Sequence, residues 1–231
     1  MRFLNNKYYH YVLALATFML YSESLYARAG GGGGSGRGGL FSLFLKIILL
    51  PAFLIYYYIR NKKIKDKKLE STQIIEQAAA EDPFWNEAKM EQLTKDMFNR
   101  MQTAWMERDL SSVKHQISAD LYHDYSIKLA VMQSNKEKNI LEDINIKEVS
   151  IISSEDYKDN TKDAFVAFIT GNILDYTINE TTGKVIKNKK KDAETFSDTY
   201  HFIRQGNKWI LNNINNKVSL SDIDDSKNIK E

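Results

Sequence analysis

Asp198, Tyr200 and Phe202 stand at alternate positions of "SDTYHFIR", so a strand here puts all three on one face. A carboxylate beside a phenol can hold or take a proton. Asp198 shares the face of Tyr200 and Phe202 and could serve as a base near Tyr200 or Tyr125, although His201 is the best candidate by residue type. The ordinary alternative is that Asp198 pairs with a structural arginine or lysine, because a lone carboxylate is a weak sign of a site. His201 carries a more versatile group, but the same alternation turns it to the opposite face. His115 and His123 fall on different predicted helices without a ligand partner, which does not support a metal site. The chain has no cysteine, and this excludes disulfides, thiolate zinc sites and cysteine nucleophiles. No catalytic set, metal or cofactor is therefore expected. Tyr125, Tyr200, Phe202 and Trp209 instead suggest a pocket wall that binds an acyl chain or an apolar peptide face by burial.

Helices and strands must hold that wall. Asp82-Pro83 reads as a helix start, with an N-cap aspartate and proline at the first helical position. Met90, Leu93, Met97, Phe98, Met101, Ala104 and Trp105 then recur at helical spacing, and Trp105 is expected on the face packed against a sheet. Asp109 can cap a short helix over "LSSVKHQI". Ser118 can cap another, whose apolar face carries Leu121, Tyr125, Leu129 and Met132. From Ile140 the period becomes two. Ile144 and Ile146 alternate in one phase and Val149 and Ile151 in the other, a slip that a β-bulge produces. "DAFVAFITGNILDYTI" is a long strand with a bend expected at Gly171, and "NETTGK" is a turn. "ETFSDTYHFIRQGNKWILNNI" is a hairpin about Gly206-Asn207, with Trp209 and Leu211 sharing a face of its second strand. Helices followed by long antiparallel strands predict an α+β domain with helices packed on a curved sheet.

The front of the chain has another character. Tyr11 to Tyr21 has the length of a signal-peptide apolar core, and Ala27-Arg28-Ala29 supplies a small-x-small cleavage pattern. The alternative is an uncleaved first membrane helix over residues 8–25. Residues 30–39 are a flexible glycine-rich linker. Leu40 to Ile59 reaches the roughly 20 apolar residues that a membrane-crossing helix needs, with Lys46 able to snorkel and Tyr56, Tyr57 and Tyr58 at the interface. Arg60, Lys62, Lys63, Lys65, Lys67 and Lys68 follow at once. By the positive-inside bias they place the C-terminal part in the cytoplasm, and they offer a surface for anionic lipid. Lysines and arginines number 32 against 30 acids, so overall charge names no partner. The lysine run from Lys187 to Lys191 reads as a solvated loop, and no nucleic acid is expected. The organisation read here is a signal peptide (1–29), linker (30–39), transmembrane helix (40–59), basic juxtamembrane segment (60–81), folded domain (82–218) and disordered tail (219–231).

Two blocks carry a family resemblance over about Leu69 to Val218. One is "DPFWNEAKMEQLTKDMFNRMQTAWMERDLSSV" and the other "DTYHFIRQGNKWILNNI", with Asp82, Pro83, Phe98, Trp105, Asp109, Leu110, Asp198, Tyr200, Phe202, Arg204, Trp209 and Ile214. In these the chain resembles the Tim-44-like family, which includes the motor-anchoring subunit of the mitochondrial inner-membrane translocase and bacterial inner-membrane relatives. It departs at Tyr200, often tryptophan in the family, and in its lysine-rich "NKKKDAE". The resemblance implies a cone-shaped nuclear-transport-factor-2-like fold with a pocket at its open end, affinity for anionic lipid, and a partner held near the membrane. The function so implied is a single-pass, non-catalytic scaffold of the bacterial inner membrane, its domain cytoplasmic (or on the matrix side in a mitochondrion), holding a protein partner or lipid, with a role in protein transport. The alternative is an enzyme of the same cone whose pocket binds or turns over a small hydrophobic ligand.

Overall fold

A computed structural model describes residues 37–188 and 193–231, with side chains from Ile48 onward. The expected signal peptide and most of the glycine linker lie outside the described residues, as does most of the lysine run after Lys187. The chain divides into two units, Met1–Lys63 and Ile64–Glu231.

Helix α1 (Arg37–Glu81) starts in the first unit and ends in the second, where the anchor and the basic segment were expected as separate elements. In the first unit Ile48, Leu50, Phe53, Leu54, Ile55, Tyr57 and Tyr58 are all more than half exposed. Among the described residues no helix is long and apolar enough to cross a membrane. The span expected from Leu40 includes residues 40–47, whose side chains lie outside that description.

The second unit begins at Ile64, eighteen residues before the expected boundary at Asp82, because Ser71, Ile75 and Ala78 form a buried stripe on the end of α1. Asp82 does not cap the next helix. Its N–H closes α1 on the Ala78 carbonyl, and its carboxylate accepts from the Phe84 N–H and from Arg204. Helix α2 (Glu87–Glu107) is capped by Asn86, whose side chain accepts from the Lys89 N–H. The expected apolar stripe is its buried face, except that Leu93 and Trp105 are half-buried. No helix follows Asp109. Successive turns over residues 111–116 lead to an isolated parallel bridge between Ile117 and Leu211, and hydrogen bonds of Leu211 with Gln116 and Ser118 occupy a strand edge that a helix could not reach. Ser118 caps α3 (Ala119–Ser134), which buries Leu121 and Leu129.

The strands are β1 (Glu137–Asp156), β2 (Ala164–Asn179), β3 (Val185–Lys187), β4 (Glu194–Gln205), β5 (Lys208–Asn215) and β6 (Asn228–Lys230). They form one six-stranded sheet in the order β5-β4-β2-β1-β6, with β3 paired to β2. Every pairing is antiparallel except β1 with β6. The sheet is a strongly curled half-barrel, in keeping with the α+β cone. Register shifts in β1 lie at Glu142/Asn145, Ile146/Glu148 and Ile151/Ser153, the middle one where the hydrophobic phase slips. Each extra residue bends the strand and adds twist. Gly206 takes φ +58 in the two-residue β4–β5 turn, the left-handed backbone that suits glycine.

Residues 219–231 are ordered rather than a loose tail. A capping box between Ser219 and Asp222 starts α4 (Leu220–Asp224), and Leu220 and Ile223 are fully buried. Their burial compensates the ordering of so short a segment. Lys230 then pairs with Asp156 at 2.8 Å and Glu81 at 3.1 Å.

Candidate functional site

Alternation along β4 decides what faces the helices. Phe196, Asp198, Tyr200 and Phe202 pair across to Gly171, Ile169, Ala167 and Phe165 of β2 on one side of the sheet. Helices α2 and α3 cover part of this side and leave a cavity of about 410 Å³, within the usual range for small-ligand sites. Phe98, Met101, Gln102 and Trp105 line it from α2, and Tyr125 and Lys128 from α3. The sheet contributes Asn139, Leu141, Ile173, Asp175, Phe196, Asp198, Tyr200 and Ile214, and Asn216 follows β5. The rings pack against one another. Phe98 stacks on Phe196 with centroids 5.1 Å apart and meets Tyr200 at 5.9 Å, and Trp105 stands edge-on to Tyr125 at 5.5 Å.

Two of the four expected pocket residues, Tyr125 and Tyr200, therefore line the cavity. Phe202 and Trp209 stand elsewhere. Phe202 stacks on Phe165 at 4.6 Å, and Trp209 packs among Phe84, Trp85 and Phe165. Sharing a face with Tyr200 is not enough, because two residues of strand carry Phe202 roughly 7 Å further along. It arrives against Phe165, fully buried in the solid part of the core. Gln102, Trp105, Lys128, Asn139, Asp175 and Asn216 were not foreseen in the site. Gln102 had a legible signal: it lies one helical turn from both Phe98 and Trp105, at the border of the apolar stripe.

Asp198 is buried, and desolvation pushes its pKa up to about 6 despite a hydrogen bond from the Asn216 side chain. The structural arginine that could have claimed it, Arg204, binds Asp82 and Asp163 instead. Burial, with the Asp198 charge nearby, raises Tyr125 to about 12. Tyr200 is raised well above the ordinary phenol value by burial first, then by Asp198 and Tyr125, with Gln102 opposing through a hydrogen bond. Both phenols thus stay protonated donors at neutral pH. Asn139 completes the polar part by donating to Asp175 at 2.6 Å.

His201 faces away from this cavity, as its alternation requires. It lines a separate concavity of about 640 Å³ with Glu155, Asp222 and residues 213–217. Burial lowers its pKa against the opposing pull of Asp222 and Glu155. Of the basic cluster, Lys62 and Lys65 are exposed. Lys67 donates to the Ser226 carbonyl at 2.5 Å, and Lys68 pairs with Glu91 at 3.8 Å, so both hold the end of α1 within the second unit. Among the described residues no group of three His, Cys, Asp or Glu side chains is placed to hold a metal ion.

Helices laid on a strongly curled sheet, with an aromatic cavity between them, define an α+β domain with an internal binding space. The chain belongs to the Tim44-like domain family, whose model matches residues 71–216. The match starts at Ser71, the first residue of the buried stripe on α1. No curated protein matches the chain. Among solved structures it is similar to the intermembrane space region of the chloroplast protein ARC6. That likeness has 10% identity and a TM-score of 0.40, and it covers 56% of this chain and 97% of that chain.

Proposed function

We propose that this chain is a membrane-anchored, non-catalytic scaffold that holds a protein partner or lipid at the bacterial inner membrane, in the service of protein transport. The observation that carries the proposal is the cavity, whose walls are mostly rings and aliphatic side chains from α2, α3 and the sheet. Such a wall retains an apolar group by burial and needs no proton transfer to do so. The exposed apolar side chains between Ile48 and Tyr58 support the anchor, since an aqueous surface rarely carries so dense a set. The exposed Lys62 and Lys65 would then meet anionic headgroups, at about 1 kcal/mol each, and the basic cluster as a whole would set the domain in the cytoplasm. Lys67 and Lys68 contribute less because they already have partners.

Fractionation of cells expressing the full chain tests the anchor. The protein should stay in the membrane pellet through alkaline carbonate, and a reporter fused after Glu231 should be active only in the cytoplasm. A soluble protein, or a reporter active only outside, overturns the reading.

A second reading rests on Asp198, a buried carboxylate between two protonated phenols. That arrangement can shuttle a proton, as an enzyme acting on a small hydrophobic ligand would require. Asp198→Asn tests this reading directly: an enzyme that moves a proton at this carboxylate loses its cellular function while membrane retention and partner recovery stay normal, and full function in the variant overturns it.

A further inference from the structure

The chain's buried acids are not treated alike. Asp163 has the Arg204 guanidinium at 3.0 Å, and Asp156 has the Lys230 ammonium at 2.8 Å. Asp198 is 5% exposed and opens on the cavity, and the polar partner that acts on it is the neutral Asn216 side chain. A buried carboxylate without a countercharge is costly, and a cation brought to it relieves that cost. The rest of the wall suits an organic cation. The rings of Phe98, Trp105, Tyr125, Phe196 and Tyr200 line the same space, and aromatic faces attract cations. One cation already uses such a face: exposed Lys128, itself part of the lining, has its Nζ 4.7 Å from the Tyr125 ring centroid. Among the described residues no three His, Cys, Asp or Glu side chains come together to hold a bare metal ion. A neutral apolar ligand would leave the carboxylate uncompensated.

We propose that this cavity binds a small organic cation, with its charge against the Asp198 carboxylate and its carbon atoms against the surrounding rings. The proposal rests on reading the cavity as a binding site, and it adds the chemistry of the occupant. Charged or titratable groups around Asp198 are Tyr125 and Lys128 from α3, Asp175 from β2 and Tyr200 from β4; α2 presents Gln102, β1 presents Asn139, and Asn216 follows β5. Burial pushes the Asp198 carboxyl up to about 6. Cation binding should therefore strengthen as pH rises through about 6 and level off above it.

The test uses the purified full chain in detergent micelles and two probes of one shape. One is choline; the other is its uncharged analogue, with a tert-butyl group in place of the trimethylammonium. Calorimetric titration at pH 8 should show choline bound at least roughly tenfold more tightly, the margin expected of one charge-assisted contact. Asp198→Asn should erase that margin and leave the analogue's affinity unchanged. Equal affinities that Asp198→Asn does not alter overturn the cation while leaving the binding cavity standing. No binding of either probe overturns both. Should Asp198→Asn fail to fold, carboxyl NMR of the unsubstituted chain decides: choline must lower the Asp198 titration midpoint, and an unmoved midpoint overturns the proposal.

Discussion

Arg204 holds Asp163 through side chain and backbone at once. Its Nη1 donates to Asp163 Oδ2 at 3.0 Å, and its backbone N–H donates to the Asp163 carbonyl at 2.9 Å. The same guanidinium reaches Asp82 at 2.5 Å and lies over the Phe84 ring, 4.1 Å from its centroid. Asp163 is fully buried and also accepts from the Tyr157 N–H at 2.9 Å. Three distant stretches meet here: the turn after α1, the β1–β2 connection and the β4–β5 hairpin. Burial pushes the Asp163 pKa up, against the Tyr157 N–H and Arg204. At Asp82, burial is outweighed by the Phe84 N–H and Arg204, and its pKa falls.

Arg204→Ala is expected to cost about 3–5 kcal/mol, because it leaves Asp163 buried as an uncompensated charge. Arg204→Lys should recover only part of this, since an ammonium lacks the Nε–H that donates to the Gly206 carbonyl and the planar group that lies over Phe84. Urea unfolding of the purified chain checks both. A loss below about 1 kcal/mol for Arg204→Ala would show that the domain does not depend on this junction.

Trp85 and Trp105 should separate sharply in the same assay. Trp85 is 1% exposed and meets Trp209 edge-on at 5.1 Å, whereas Trp105 is half-buried at the cavity. Trp85→Ala should cost about 3–5 kcal/mol. Trp105→Ala, against the expectation from its helical stripe, should cost about 1–2 kcal/mol. The Trp85 indole N–H has no hydrogen-bond partner, so Trp85→Phe removes no bond and should be far milder than Trp85→Ala.

What the sequence made legible was mostly local. The phase slip between Ile146 and Val149 became a register shift, Ser118 became a cap, and Gly206-Asn207 became a turn. Each is decided by residues within a few positions. Asp82 was misread because its carboxylate is claimed by an arginine 122 residues away, and local capping rules cannot see that competitor. At the site, alternation correctly grouped Asp198, Tyr200 and Phe202 on one face. Which of them reach the cavity depends on how far α2 and the 82–85 turn cover the sheet, a tertiary outcome. Asn139 and Asp175 lie on strands, and Asn216 just after one, in stretches read only for their apolar pattern, so their place in the lining carried no periodic signal.

Gly171 tests the curl of the sheet. A Cβ built there would lie 2.4 Å from the Asn145 carbonyl oxygen and 2.6 Å from the Phe196 ring. The first neighbour is backbone beside the β1 bulges, and the second is stacked on Phe98. Neither can move without disturbing the bend or the cavity wall. Gly171→Ala should therefore destabilise the domain by about 1–3 kcal/mol, the usual cost of overpacking. It should also weaken any ligand of the cavity, because Phe196 lines it. A melting temperature equal to that of the unsubstituted chain would mean the strand accepts the methyl group by shifting.

Asp198→Asn should stabilise the folded domain, and only above acid pH. Burial raises the folded pKa from 3.8 to about 6. Below the unfolded value both states keep the proton, and the residue exacts no charge-burial cost. Between the two values the folded state binds more protons than the unfolded one, so stability falls as pH rises. Above about pH 6 the cost is fully developed, at about 3 kcal/mol for a gap of this size. Asparagine has no charge to bury, although it alters the contact with Asn216, so the net gain at pH 8 should be about 1–3 kcal/mol. Urea unfolding of both proteins from about pH 4 to 8 checks this: the curves should converge at the acid end and separate through the midpoint. A pH-independent gap would mean that Asp198 is ionised with a normal pKa in the folded domain. Saturating choline should narrow the gap at pH 8 by stabilising the unsubstituted chain more than the variant, since mass action favours the state that binds more tightly.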